Sequence, residues 1–413
     1  MTTLRPSLLA PFSVRSFRFQ WPADLFTSWA FEMEVLILGW YVMVESGSVM
    51  MLVVYGALQY SGSVLSPVLG VAGDRLGCRR MMLMTRGMYA TLALAMTVLA
   101  ATGSLSPAIV LVIASIGGVL RPSDVMLRNA LIGQTLPGQI LIGALGLSRT
   151  TYDSARIAGA IAGVGMLGAF GMVTAYVVIT LVYVLGFMLT LGVAGRPGRA
   201  DAPRPTPLRD LHEAMLHVWR TPELFGAMTV AFIVNVFAYP FVLGLLPYVA
   251  REIYRVDQFT LGVLGASFSA GALIGSILLG SNRISMGAGR AMLVAASAWF
   301  VLTFAFGHVT HPAAGAAILV FVGLAQSLCI TPLAAVMLRS AHKEFFSRVM
   351  GMRILAIMGL PLGLLVSGPV IRELGFAMTS TLYSVAGLCV TLVIAIRWRG
   401  YLWSKHARAN QSA

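Results

Sequence analysis

The sequence predicts an all-α integral membrane protein, with twelve transmembrane helices in two six-helix bundles. Three observations carry this: a hydrophobic content of 58% against 11% charge, apolar runs of membrane-spanning length, and basic residues gathered between alternate runs. A soluble globular chain carries about a quarter charged residues. The mean hydropathy of +0.85 over 413 residues therefore excludes a soluble fold, and with it disorder, collagen and coiled coil.

A helix needs about 20 mostly apolar residues to cross a hydrocarbon core of roughly 30 Å. By that measure the spans fall at residues 20–44, 49–72, 81–102, 107–130, 142–168, 172–194, 223–248, 259–281, 290–308, 313–337, 349–371 and 376–397. The sixth is the clearest, since Met172 to Gly195 holds no charge. No ten-residue alternation of the kind a transmembrane β-barrel shows is present.

Basic residues resist translocation and accumulate on the cytoplasmic side. With twelve spans, the even-numbered connections and both tails share one side, and most of the 29 basic residues fall there, including Arg75, Arg79, Arg80 and Arg86. The other side has Arg251, Arg255 and Arg372, while Arg121, Arg128, Arg149 and Arg156 lie within spans. Both termini are expected in the cytoplasm, and the membrane is expected to be the inner one. No cleavable signal peptide is expected.

Residues 195–222 interrupt the rhythm with Pro197, Pro203, Pro205, Pro207 and five arginines. Proline at that density opposes helix and reads as a linker. Leu208, Leu211, Met215, Val218 and Trp219 then follow at helical spacing, which suggests a short interfacial helix. The expected organisation is a bundle at 1–194, a cytoplasmic linker at 195–222, a bundle at 223–398 and a cytoplasmic tail at 399–413.

The charge of +14 does not point to nucleic acid, because the basic residues form short clusters between apolar runs and not a patch. Cys78, Cys329 and Cys389 are too few and too scattered for a metal site or a disulfide framework. No phosphate-binding G-x-x-x-x-G-K-[ST] string occurs, so ATP is not the expected energy source. The six histidines make no H-E-x-x-H motif, and they lie in the linker, loops or tail, which leaves a polytopic membrane enzyme as a rival reading without a cluster of catalytic groups. No cofactor and no metal are expected.

Charged residues within spans need a reason, since a central carboxylate or guanidinium costs about 2.5 to 3.5 kcal/mol even on the insertion scale. On span five, Arg149, Asp153 and Arg156 stand four and three apart on one helical face and can pair. Such a face either locks the span or lines a cavity. On span one, Glu32 and Glu34 are two apart, about 200° around the helix, so only one can face a given cavity. A membrane carboxyl can bind and release a proton, which makes Glu32, Glu34 and Asp153 candidates for proton coupling. The alternative is that each glutamate pairs with an arginine of span five. Asn235 and Tyr239 on span seven and Gln326 on span ten are the conspicuous neutral polar groups of the second half, and Tyr41 lies near Glu34 on span one. The pairs Gly159/Gly163, Gly271/Gly275 and Gly359/Gly363 suit close helix approach.

Between spans two and three the chain reads Gly70-Val71-Ala72-Gly73-Asp74-Arg75-Leu76-Gly77-Cys78-Arg79-Arg80. This resembles the G-x-x-x-D-R-x-G-R-R/K signature of the major facilitator superfamily, at the position where that family carries it. Ala155 to Gly163, ending near Phe170-Gly171, resembles the fifth-span segment of exporters related to the enterobactin exporter and to drug:proton antiporters. Ser347 to Arg353 resembles the segment that opens span eleven in that branch. The resemblance implies two six-helix bundles rocking around a central cavity, with transport as the activity. It also implies a cytoplasmic gate of Gly70, Asp74, Arg75, Gly77, Arg79 and Arg80, in which Asp74 favours the positive end of a neighbouring helix. Cys78 stands where the family usually has the arginine of a charge relay. Asp124 could supply the span-four acid of that relay, with Arg75, Arg79 or Arg128 as its mate. Ala160 replaces a common helix-bending proline.

The resulting expectation is a monomeric, proton-coupled exporter of a small organic molecule, drug or siderophore, working by alternating access in the lipid bilayer. An importer or a lysolipid flippase of the same fold is the alternative. Arg149, Arg156, Tyr41, Asn235, Tyr239 and Gln326 are the candidates for its substrate cavity.

Overall fold

The computed structural model describes residues 10–64, 75–195, 215–216, 218–280, 286–340 and 356–403. Among them every long element is a helix: α1 (Arg15–Ser46), α2 (Val49–Leu58), α3 (Cys78–Ala101), α4 (Pro107–Thr135), α5 (Gly138–Leu191), α6 (Pro222–Phe237), α7 (Gln258–Gly280), α8 (Ala288–His308), α9 (Pro312–Ser340), α10 (Gly359–Arg397) and the short α11 (Arg399–Leu402). Eight of these stretches are long and apolar enough to cross a bilayer. The chain is an all-α, multi-pass membrane protein, and the predicted spans coincide with the helices to within a few residues wherever both ends are described.

Two of the helices each contain two predicted spans. α5 breaks at Gly171 (φ 77°, ψ 178°) and α10 breaks at Gly375 (φ 81°, ψ 168°). Only glycine adopts such a positive φ without strain, so each break lands where the sequence separates spans five and six, or eleven and twelve. α6 is prolonged by short segments at Tyr239–Leu243, Leu246–Tyr248 and a π-helical turn at Val249–Ile253. Pro240 and Pro247 lack the N–H that a continuous helix would use, and the span is discontinuous as a result.

The described residues cluster into two compact units. The first holds α1, α3, α4, α5 and the opening turns of α7; the second holds α2, α6, the rest of α7, and α8 to α11. Each unit therefore includes one segment from the other half of the sequence.

Both units use the same device to bring helices together. In the first, Gly159 and Gly163 of α5 face the backbone of Trp29 and Met33 on α1. In the second, Gly271 and Gly275 of α7 face Val320 and Leu324 on α9, and Gly359 and Gly363 of α10 face Phe232 and Val236 on α6. Lipid offers no hydrophobic drive for helix association, so small residues that allow van der Waals contact supply it instead. The outward faces are apolar: Val112 is 60% exposed, Leu181 62% and Ile396 76%, a surface only acyl chains would solvate well.

Candidate functional site

The interior of the first unit contains a cluster of four buried charges. Asp24 on α1, Arg86 on α3, and Asp124 and Arg128 on α4 form a closed set of ion pairs. Arg86 donates to Asp24, and its Nε lies 3.6 Å from Asp124 Oδ1. Arg128 donates from Nη2 to Asp124 Oδ2 at 2.8 Å, and its Nε lies 3.5 Å from Asp24 Oδ1. Two acids and two bases make the set neutral, which is the condition for tolerating charge in a low-dielectric interior.

Neutral neighbours complete it. Arg86 Nη1 donates to Thr190 Oγ1 at 2.6 Å, Arg128 Nη1 donates to Ser28 Oγ at 3.0 Å, and Gln20 Nε2 donates to the Arg128 carbonyl at 2.9 Å. Local spacing explains the arrangement. Gln20, Asp24 and Ser28 repeat every four residues along one face of α1, and Asp124 and Arg128 are likewise four apart on α4.

The glutamates of α1 diverge as their spacing requires. Glu34 turns towards the second half of α5, where Tyr183 donates its hydroxyl to Glu34 Oε2 at 2.9 Å. Its partner is thus a phenol, and no ion pair joins Glu34 to a described cation. Glu32 turns towards Gly159 on the first half of α5, and its Oε1 is buried without a hydrogen bond. Tyr89 stands beside this pair, its ring 5.7 Å from that of Tyr183. Asp153 on α5 is buried and Arg156 is half-buried. The Arg149 side chain lies outside the described residues. Arg121 lays its guanidinium 3.6 Å from the centre of the Phe31 ring.

The Major Facilitator Superfamily pattern matches residues 25–364. The chain belongs to the major facilitator superfamily. Solved structures agree in fold. The POT family transporter PepTSo superposes with a TM-score of 0.76 at 11% identity, covering 94% of this chain and 98% of that one. A POT family transporter in complex with 5-aminolevulinic acid gives 0.72 at 12%, covering 93% and 96%. The human organic anion transporter MFSD10 gives 0.65 at 15%, covering 92% and 99%. No curated protein matches the sequence. Membership in the superfamily makes the chain a transporter and not an enzyme.

In this member of the superfamily the signature between spans two and three is partly described. Gly70 and Asp74 lie outside the described residues, as do the 196–214 part of the linker, His217, the Ser347 to Arg353 segment and the tail from 404 on. Gly77 caps α3 with a φ of 90°, a conformation reserved to glycine. Arg79 Nη2 donates to the Leu191 carbonyl at 2.8 Å, closing the last turn of α5. Cys78, where a relay arginine is usual, is buried and accepts from Gln134 Nε2 at 3.3 Å. Arg75 and Arg80 are exposed. Of the three mates considered for Asp124, the structure selects Arg128.

It also adds Arg86, which by sequence position belongs with the cytoplasmic arginines but is 1% exposed, and Asp24, which sequence reasoning missed. The four-residue polar repeat of Gln20, Asp24 and Ser28 was the available signal.

Tyr41 donates its hydroxyl to the Leu105 carbonyl at 3.0 Å, at the far end of α1 from Asp24. In the second unit, Gln326 Nε2 donates to Tyr239 Oη at 2.9 Å, and the Tyr239 ring meets Trp299 edge-on at 4.8 Å. Asn235 is buried and donates to the Ala231 carbonyl at 2.8 Å. Tyr239 opens the short segment that follows the interruption of α6.

Proposed function

We propose that this transporter exports a small organic molecule in exchange for protons, with Glu34 as the proton-binding group. The observation that carries the reading is the Glu34–Tyr183 hydrogen bond. An arginine partner would hold a carboxylate charged, whereas a phenol serves both states: it donates to the carboxylate, and its oxygen accepts from the carboxylic acid. Glu34 can therefore gain and lose a proton without losing its partner. The four-charge set beside it is already neutral and has no such freedom.

The substrate contacts proposed in the second unit are Tyr239, Gln326 and Asn235. Tyr239 stands where a spanning helix is interrupted, a feature that transporters use to expose polar groups at the midplane. Export, as opposed to import, rests on the likeness of Ala155 to Gly163 to the exporter branch. The drug-like or siderophore substrate rests on the same likeness. We further propose that the protein works as a monomer in the inner membrane with both termini cytoplasmic, and that residues 1–194 and 223–398 are the two rocking bundles. Asp74 would serve the gate with Arg75, Arg79 and Arg80.

Reconstitution into liposomes under an imposed pH gradient, with a solute screen, tests this. Glu34→Gln should abolish gradient-driven flux while leaving exchange at equal pH intact, and Glu32→Gln should retain most of it. Full gradient-driven flux in Glu34→Gln would overturn the assignment.

A further inference from the structure

In the second unit, α8, α9 and the end of α7 enclose a groove of about 510 Å³ lined wholly by apolar side chains. Its floor is formed by buried Ala291, Ala295 and Ala325, and its rims by Val294, Val301 and Phe321, which are exposed. Along α8 the lining runs from Ala291 to Leu302, about 16 Å at 1.5 Å per residue. That is half of a hydrocarbon core of roughly 30 Å, the depth of one leaflet. Because the chain spans a bilayer and the rims are open and apolar, an acyl chain is the kind of occupant the groove fits.

The mouth of the groove has a different chemistry. Arg290 is exposed at the start of α8 and shares a helical face with Val294 and Val301. Its guanidinium lies 5.3 Å from the Trp403 ring, and Arg399 lies 5.7 Å from the same ring. Arg397 sits over Trp398 close by in sequence. Arginine beside tryptophan is the pairing expected at a headgroup layer. The first turn of α8 adds a positive helix end, because its Gly287 cap has no side chain to occupy the N–H groups.

From the length, the apolar lining and the basic mouth, we infer that this groove is a binding site for one anionic phospholipid. An acyl chain lies along α8 between Val294 and Phe321, and the headgroup phosphate meets Arg290 and Arg399. The inference needs only the membrane location and not the proton-coupling reading, so the two can fail separately.

Native mass spectrometry of the purified protein, exchanged into micelles doped with phosphatidylglycerol or with phosphatidylcholine, tests it. Wild type should keep one phosphatidylglycerol with at least a tenfold preference over phosphatidylcholine. Arg290→Gln should retain lipid but lose the preference. Ala298→Phe, which fills the groove from an exposed position, should lose at least tenfold of bound phosphatidylglycerol. Equal retention of the two lipids by wild type, an unchanged preference in Arg290→Gln, or unchanged binding in a folded Ala298→Phe protein would each overturn the site. Should Ala298→Phe not fold, the Arg290→Gln comparison decides.

Discussion

The two units are built from the same helices-and-glycine construction but have opposite interiors. The first buries a cluster of four formal charges and the carboxyl of Asp153, and holds a glutamate through a phenol. The second holds a neutral set of Tyr239, Gln326 and Trp299, joined by an amide-to-phenol hydrogen bond and an edge-on ring contact, and buries Asn235, which bonds its own helix backbone. Packing can thus be equal on both sides while electrostatics are not. Under the proposed proton-coupled mechanism, the charge-dependent part of transport falls to the first unit, and shape and hydrogen bonding fall to the second.

Removing one member of the four-charge set should give the largest effect. Asp24→Asn or Arg86→Met leaves an uncompensated charge in the interior and should cost about 3–5 kcal/mol, seen as loss of thermal stability in detergent. Replacing both with apolar residues of similar size should recover much of that, because a buried pair offsets its own desolvation only in part. An undiminished stability in the single variants would dissolve the contrast between the units.

Packing variants should show where the units are alike. In Gly163→Val the new Cβ meets the Met33 backbone at 2.8 Å, and in Gly359→Val it meets the Phe232 carbonyl at the same distance. Both should lose about 1–3 kcal/mol by overpacking. A large difference between them would mean that the helix contacts, and not only the charges, distinguish the units. A smaller loss, about 0.6 kcal/mol, is expected for Tyr239→Phe, the usual worth of an interhelical hydrogen bond in a membrane protein.

An effect of similar size lies outside the spans. Asp257 accepts from the Thr260 N–H at 3.0 Å and from its hydroxyl at 2.8 Å, capping α7. These bonds hold its carboxyl below the ordinary carboxylate value of 3.8. Because the folded value is depressed, the stabilisation is complete above that ordinary value and is lost as the pH falls through the folded one. Asp257→Ala should cost about 1 kcal/mol or less at neutral pH, and the gap to wild type should close in acid.

Most of the fold was legible in the sequence, because the run of apolar residues needed to cross a bilayer is long enough to stand out above local noise. The breaks at Gly171 and Gly375 fell between predicted spans for the same reason. The site was less legible. The 200° separation of Glu32 and Glu34 correctly implied different surroundings, but which neighbour each meets depends on how α5 packs, and periodicity within one helix does not encode that. Arg86 was hidden by its place near a basic cluster, since charge counting sorts residues by side and says nothing of depth. Asp24 was overshadowed by the glutamates eight and ten residues further on. The units' exchange of α2 and the start of α7 has no sequence signature, because it is a property of long-range packing.

Proton coupling as proposed requires Glu34 to take up and release the proton. Infrared difference spectra of the purified protein between acid and alkaline pH report protonated membrane carboxyls directly, through a carbonyl stretching band that disappears on deprotonation. Wild type should show a titrating band that is missing in Glu34→Gln and shifted in Tyr183→Phe. A band unchanged by Glu34→Gln, or one abolished instead by Glu32→Gln, would contradict the account.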